Sequence, residues 1–304
     1  MYVRTNQPAY VRTRSRGRGC LTSGRLLFAA VVALLSLLSY FSLRQENPVT
    51  GETQHIDISV EQEIALGVQA APEMAAQFGG FDPDPEVQAL VEGIGNHIVN
   101  ASVAGMTAYR FDFHVLQDSE TINAFALPGG QIFITRGLLD KLGTEGQLAG
   151  VLGHEIAHVV GRHSAEQIAK QQLTQGLTGA VVIAAYDPNN PETRYTAQVA
   201  MVIGELVNMK YSRDDELESD FLGVCFVAAS GFDPEEMIDV MVILAEAGQG
   251  QALPEFFSTH PNPDRRIERI EDSLANIDQC PGNNLQSGLP ESSQKILGLA
   301  FTLN

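Results

Sequence analysis

Residues 145–173 read EGQLAGVLGHEIAHVVGRHSAEQIAKQQL. Apolar side chains recur through this stretch at three-to-four spacing, which predicts one continuous core helix. Inside it, His154, Glu155 and His158 spell HExxH. Residues four apart share a helical face, so both imidazoles can point at one metal ion, while Glu155, one step round, reaches a water beside that ion. Composition alone yields only about 0.01 such matches in a chain of this length. The flanks VLG and VVG are apolar. A carboxylate in the middle of a core helix is costly unless it has a task.

A catalytic zinc site takes three protein ligands and keeps its fourth position for water. HEIAHVVGRH nearly matches the HExxHxxGxxH pattern, with Gly161 in register, but the third histidine position is Ser164, and His163 comes one residue early. The other route is a carboxylate from a later helix. DDELESD supplies Glu216 and, four residues on, Asp220. Those two share a helical face, so Glu216 can bind the metal while Asp220 accepts the second ring N–H of a ligand histidine. Glu218 points away from that pair and is expected to be a solvated charge.

Working outward, SVEQEIALGVQAAPEMAAQF from Ser59 is helical, with Ser59 and Gln62 as capping-box partners. GGFDPDP breaks that pattern before a second helix, PEVQALVEGIGNHIVNAS. Two short runs rich in β-branched and aromatic residues, Phe111–Leu116 and Gln131–Arg136, predict strands, with INAFALPGG between them. GLLDKL is a short helix ahead of the HExxH helix, and GLTGAVVIAAY (176–186), too short to span a bilayer, predicts a buried helix, with a membrane-facing patch as the alternative. Residues 196–212, 214–230 and 235–249 are helical by pattern. The expected fold class is α+β, mainly α-helical, with a small sheet. The expected organisation is a basic tail (1–25), a transmembrane anchor (26–43), a linker (44–58), one catalytic domain (59–275) and a C-terminal extension (276–304).

The chain of 304 residues carries a formal charge of −18, unevenly distributed. Residues 1–44 hold seven arginines and no acid, which leaves 12 basic and 37 acidic side chains in residues 45–304. A body with a net charge near −25 repels phosphate, which excludes nucleic acid as the expected partner. Leu26–Leu43 is uncharged and long enough to cross a hydrocarbon core of about 30 Å. An uncleaved single span is expected, with the arginines in the cytoplasm and the domain on the extracytoplasmic (periplasmic) side. Secretion after signal-peptide cleavage is the alternative. Three cysteines, Cys20, Cys225 and Cys280, are too few for a disulfide scaffold. Free or buried thiols are the leading expectation, and a Cys225–Cys280 bridge is the other.

His154–His158 and Glu216-x-x-x-Asp220, preceded by INAFALPGGQIFITRGLL and followed by THPNPDRRI, resemble the HtpX, BepA and CAAX-prenyl-protease superfamily of zinc metallopeptidases. The resemblance covers residues 58–270. It implies a zincin-like endopeptidase holding one Zn²⁺ per subunit, with His154, His158 and Glu216 as ligands, Glu155 as general base and Asp220 behind a ligand histidine. It further implies that Gln131, Ile132, Phe133 and Ile134 form an edge strand on which an extended peptide lies, positioned by Asn123 and the Gly129–Gly130 turn. His260 and Arg266 match the downstream motif and are candidates for stabilising the oxyanion, or, for His260, for closing the open zinc position. One span and no appended repeat domain favour cleavage of unfolded or misassembled proteins in extracytoplasmic quality control over prenylated peptides. The competing expectation is a proteolytically silent chaperone or assembly factor that uses the same site structurally.

Overall fold

The computed structural model describes residues 18–185, 211–248, 254–260 and 266–282. The predicted helix over 196–212 falls almost wholly outside these residues, as does most of the C-terminal extension. Helix α1 (Arg18–Ser42) contains the apolar run and leads into a hairpin of β1 (Arg44–Glu46) and β2 (Thr53–His55). Helix α2 (Val60–Gln77) opens with the Ser59–Gln62 capping box, and α3 (Pro85–Ala101) starts at an Asp84 cap with Pro85 in its first turn. Strands β3 (Asp112–Leu116), β4 (Ala124–Ala126) and β5 (Gln131–Thr135) form one small sheet. Helices α4 (Arg136–Leu139), α5 (Glu145–Val160), α6 (His163–Ala185), α7 (Arg213–Ala229), α8 (Glu236–Ala247), α9 (Phe256–Thr259) and α10 (Arg266–Ala275) complete the described residues. Helix dominates, with a small sheet, as the α+β reading requires.

The single long helix expected over 145–173 is two helices. It breaks at Gly161 and Arg162, and Arg162 adopts a left-handed backbone (φ 59°) that non-glycine residues rarely take. Groups distant in sequence hold that break. Asn47 Nδ2 donates to the Val160 carbonyl at 3.0 Å, Gln54 donates to the Gly161 carbonyl, and Arg162 pairs with Glu63 (Nε to Oε1, 2.9 Å) and with the Ile58 carbonyl. Residues of the polar segment 44–58 therefore cap the HExxH helix.

Helix α5 is the axis of the core, and nearly every residue on it from Gly146 to Val160 is buried. It packs against α7, α3 and α8, with the sheet on a further side. Gly153 and Gly223 set the distance between α5 and α7. A Cβ on Gly153 would meet Val227 Cγ2 at 2.9 Å, and one on Gly223 would lie 3.3 Å from the His154 backbone nitrogen. This close approach brings the histidine face of α5 onto the carboxylate face of α7.

The strand order is β3-β5-β4, with β3 parallel and β4 antiparallel to β5. The expectation of Gln131–Ile134 as an edge is corrected here: β5 is the central strand, paired on both sides and buried along its whole length. Its position follows from its composition. A continuous apolar run has both faces to bury, whereas an edge strand with a wet side alternates. The edge is β4. The bridge between Cys225 and Cys280 forms, joining α7 to the segment after α10, so the free-thiol expectation is also corrected.

Candidate active site

The buried faces of α5 and α7 meet the start of α10 and the end of α9 in one polar cluster. Helix α5 contributes His154, Glu155 and His158, and α7 contributes Glu216 and Asp220. His260 caps α9, and Arg266 opens α10. All seven are buried, and Glu155, Glu216 and His260 have no measurable exposure.

The donor atoms converge. His154 Nε2 and His158 Nε2 lie 3.0 Å apart, and Glu216 reaches them at 3.5 Å (Oε2) and 3.4 Å (Oε1). His260 Nδ1 stands 2.9 Å from Glu216 Oε1 and 3.4 Å from His154 Nε2. A tetrahedron with metal–ligand arms of about 2.0–2.1 Å has edges of roughly 3.3–3.4 Å, so these separations suit one ion. Two further observations agree with that fit. Glu216 Oε2 and His260 Nε2 are buried without a hydrogen-bond partner among the described residues, and both oxygens of Glu155 are in the same condition. Buried polar atoms are ordinarily satisfied.

Around the donors lies a set of supporting groups. Asp220 Oδ1 sits 3.0 Å from His154 Nδ1, on the ring nitrogen facing away from the cluster. Arg266 clamps Asp220 through Nε and Nη2, both at 2.7 Å, and its Nη1 lies 3.2 Å from Glu216 Oε2. The guanidinium is thus engaged by both α7 carboxylates. The expectation for Glu218 is corrected: it pairs with His163 Nε2 at 3.1 Å, and His163 Nδ1 meets His158 Nδ1 at 2.9 Å. His163, one residue off the three-histidine pattern, therefore supports His158 from behind. Its histidine-carboxylate pairing was missed because the partner lies 55 residues away.

The electrostatics favour a cation in the cluster. Burial opposes protonation of His154, but the Asp220 and Glu216 carboxylates outweigh it and push the ring up to about 9. Burial holds His158 well below the usual histidine range. Burial would raise Glu216, yet His260 and the two α5 histidines bring it well below the ordinary carboxylate value. Glu155 goes the other way, raised by burial. Two carboxylates in one cavity are pushed apart, one to stay ionised and one to take up a proton readily, and such a split marks acid–base assignments.

The substrate-strand residues divide. Gln131 turns toward β3, bonding Asp112 and His114 at 2.8 Å each, while Ile132 and Ile134 enter the main core and Phe133 a second cluster with Ala71, Ala75 and Leu116. Gly129 and Gly130 both have positive φ, and a Cβ on Gly129 would meet Ile64 Cα at 2.3 Å, so that turn fixes the β4–β5 register beneath α2. Asn123 is buried at the start of β4 with its Oδ1 unpartnered among the described residues. Since Asn123 and Leu127 exchange main-chain hydrogen bonds with β5, the N–H and C=O groups of Ala124 and Ala126 face the opposite side. That side looks onto the metal cluster: the Phe256 N–H donates to the Ile122 carbonyl, and Phe256 stacks on His260 at 4.5 Å. Tyr211 was missed altogether. It stacks on His158 at 4.1 Å, and its hydroxyl reaches Ser164 Oγ at 2.9 Å and the Ala126 carbonyl at 3.5 Å.

Comparison with known proteins bears on what this arrangement does. Residues 84–274 match the model of peptidase family M48. The chain is 32% identical over 245 residues to the mitochondrial metalloendopeptidase OMA1 of Schizosaccharomyces pombe, covering 77% of this chain and 68% of that protein. It is 28% identical over 259 residues to the beta-barrel assembly-enhancing protease of Yersinia pestis, covering 83% of this chain and 52% of that one. Against the mitochondrial OMA1 metalloendopeptidase of Bos taurus the identity is 30% over 251 residues, covering 78% and 47%. The chain thus spans about half the length of the latter two relatives.

Proposed function

The chain belongs to peptidase family M48 and is a metalloendopeptidase; on that footing we propose that it is a membrane-anchored zinc enzyme that cleaves unfolded or misassembled proteins at an extracytoplasmic face. The observation that carries this reading is the buried convergence of His154, His158, Glu216 and His260 on one point, with the Glu155 carboxylate beside it, 3.6 Å from His260 Nε2 and without a hydrogen bond among the described residues. His154, His158 and Glu216 are the ligands, and the nitrogen and oxygen donor set suits zinc. When bound, zinc supplies Lewis acidity, which makes water nucleophilic near neutral pH.

The chain's own residues do the rest. Glu155, raised by burial, accepts the proton of the attacking water on a carboxylate oxygen and hands it to the leaving amine. Asp220, held by Arg266, keeps His154 oriented through its far ring nitrogen, and Glu218 through His163 does the same for His158. An extended peptide pairs with the outward main-chain groups of β4 at Ala124 and Ala126, taking the place of the Tyr211 hydroxyl at the Ala126 carbonyl. Main-chain pairing of this kind reads backbone, not sequence, which suits substrates recognised by being unfolded. Tyr211, kept protonated by burial, offers an O–H donor beside that edge.

His260 completes four protein donors, a closed set, so the resting enzyme is shielded and His260 must leave before a substrate carbonyl can enter. Two features support the extracytoplasmic side. The arginine-rich tail favours the cytoplasm for residues before α1. The Cys225–Cys280 bridge suits an oxidising compartment. The test is cleavage of unfolded casein by the detergent-solubilised full chain. Loss of cleavage with a chelator and its return with zinc are expected; cleavage that survives stoichiometric metal removal would overturn the proposal.

A further inference from the structure

The second half of α6 does not behave as the buried helix its composition suggests. From Gln171 to Ala185 it carries no charged residue, yet Val181 is 53% exposed and Ala184 is exposed as well. Its neighbour is α1. The two helices run antiparallel: Leu43 and Tyr40 lie beside Ala169 and Leu173, Ser36 beside Gly176, and Arg25 at the far end donates to the Ile183 carbonyl at 3.2 Å. The contact is close. A Cβ on Gly176 would meet Ser36 Oγ at 2.2 Å, and small residues at such crossings let helices associate within lipid. On α1 the less exposed positions, Arg25, Ala29, Val32, Ser36, Tyr40 and Leu43, recur at three-to-four spacing and form one seam. Leu27, Leu34, Leu38 and Phe41 of α1 are exposed.

Resting on the reading of α1 as a membrane span, we propose that the C-terminal half of α6 is embedded in the bilayer beside it, with lipid tails as the occupant of the exposed α6 face. Lys170 is the last charge on the helix, and Ile183 meets the opposite end of α1, thirteen residues further on. At 1.5 Å per residue that is roughly 20 Å, about two-thirds of a 30 Å hydrocarbon core. Water is a poor solvent for this face, and the protein offers it no cover among the described residues beyond the α1 seam. The geometry has a consequence for substrate choice. His163, the first residue of α6, contacts His158, and only seven residues separate it from Lys170. The metal site therefore stands roughly 10 Å above the level at which the helix enters lipid. It is within reach of unfolded segments lying at the membrane surface.

The test uses the full chain in phosphatidylethanolamine–phosphatidylglycerol vesicles (3:1), in a Cys20→Ser background, with single spin labels introduced as Val181→Cys, Leu34→Cys and Glu246→Cys. Val181 and Glu246 are exposed on the protein, so neither change threatens folding. Expected is oxygen accessibility well above that of a water-soluble nickel chelate at residues 181 and 34, and the reverse at 246. Nickel accessibility at 181 matching that at 246, with 34 still protected, overturns this inference and leaves the anchor standing; nickel access at 34 overturns both. Spin–spin broadening at 181 that disappears on dilution with unlabelled protein would make the occupant a second copy, not lipid.

Discussion

Glu155→Gln separates catalysis from stability because the structure assigns the two effects opposite signs. The side chain is fully buried, and neither oxygen has a hydrogen-bond partner among the described residues. Replacing the carboxylate with an amide of nearly equal volume removes the group that moves the proton, and general acid–base catalysis contributes about 10²–10⁴ in rate. At 1.36 kcal/mol per decade that is roughly 3–5 kcal/mol of transition-state stabilisation. The same change relieves a buried acid of its desolvation cost. The variant should therefore melt no lower than the wild type, and each kcal/mol gained is worth about 2–4 °C in a domain of this size. The pH dependence follows from the raised pKa. In the folded wild type Glu155 holds its proton above the carboxylate model value of 4.5, so the wild type loses stability as pH rises from that value through the folded pKa. The advantage of the variant should accordingly be larger at pH 8 than at pH 5. The assay is casein cleavage and thermal melting of both proteins at equal zinc content. Turnover within tenfold of the wild type would refute the assignment as base, and a melting point several degrees lower would make Glu155 a structural residue.

His260→Ala opens the fourth donor position and should raise casein cleavage severalfold while metal is lost faster to a chelator; unchanged values of both would remove His260 from the site. Ala126→Pro deletes an outward-facing N–H on the β4 edge, a position where proline leaves the sheet paired, so KM should rise with the melting temperature largely kept; an unaltered KM would move the peptide elsewhere. Removing the Cys225–Cys280 bridge by a double serine substitution frees a loop of 55 residues and should cost about 4 kcal/mol in denaturant unfolding under oxidising conditions. Equal stability of the two proteins would mean that the bridge does not form in solution.

What was legible in the sequence was local. His154 with His158, and Glu216 with Asp220, are pairs four apart on single helices, and helical geometry alone puts each pair on one face. Meeting of the two faces is a tertiary matter, but Gly153 and Gly223 leave little freedom in how α5 and α7 can pack. The errors share a cause of the opposite kind. The break at Gly161 and Arg162 is held by Asn47, Gln54 and Glu63, about a hundred residues upstream, so helical periodicity ran straight through it. Glu218 counted as a solvent charge because its partner is on another helix. The edge expected at β5 came from the family resemblance, whereas its apolar run Ile132–Ile134 argues for burial on both faces.

The shift of the edge from β5 to β4 changes more than a label. A substrate paired to β5 would have to lie where β3 or β4 now sits. Paired to Ala124 and Ala126, it lies on the side bounded by Tyr211, Phe256 and His260, which are the groups that ring the metal donors. The three-residue β4 carries no recognisable sequence pattern of its own. Its role comes from the Gly129–Gly130 turn that folds it back on β5 and from the α9 backbone bonded to its start at Ile122, so the peptide-binding edge and the residue that closes the metal site, His260, belong to one connected unit. On the proposed reading, a peptide paired to β4 would compete with Phe256, whose N–H holds the Ile122 carbonyl and whose ring stacks on His260. Occupation of the edge and opening of the fourth donor position would then be coupled through Phe256, so the Ala126→Pro and His260→Ala effects should not be additive.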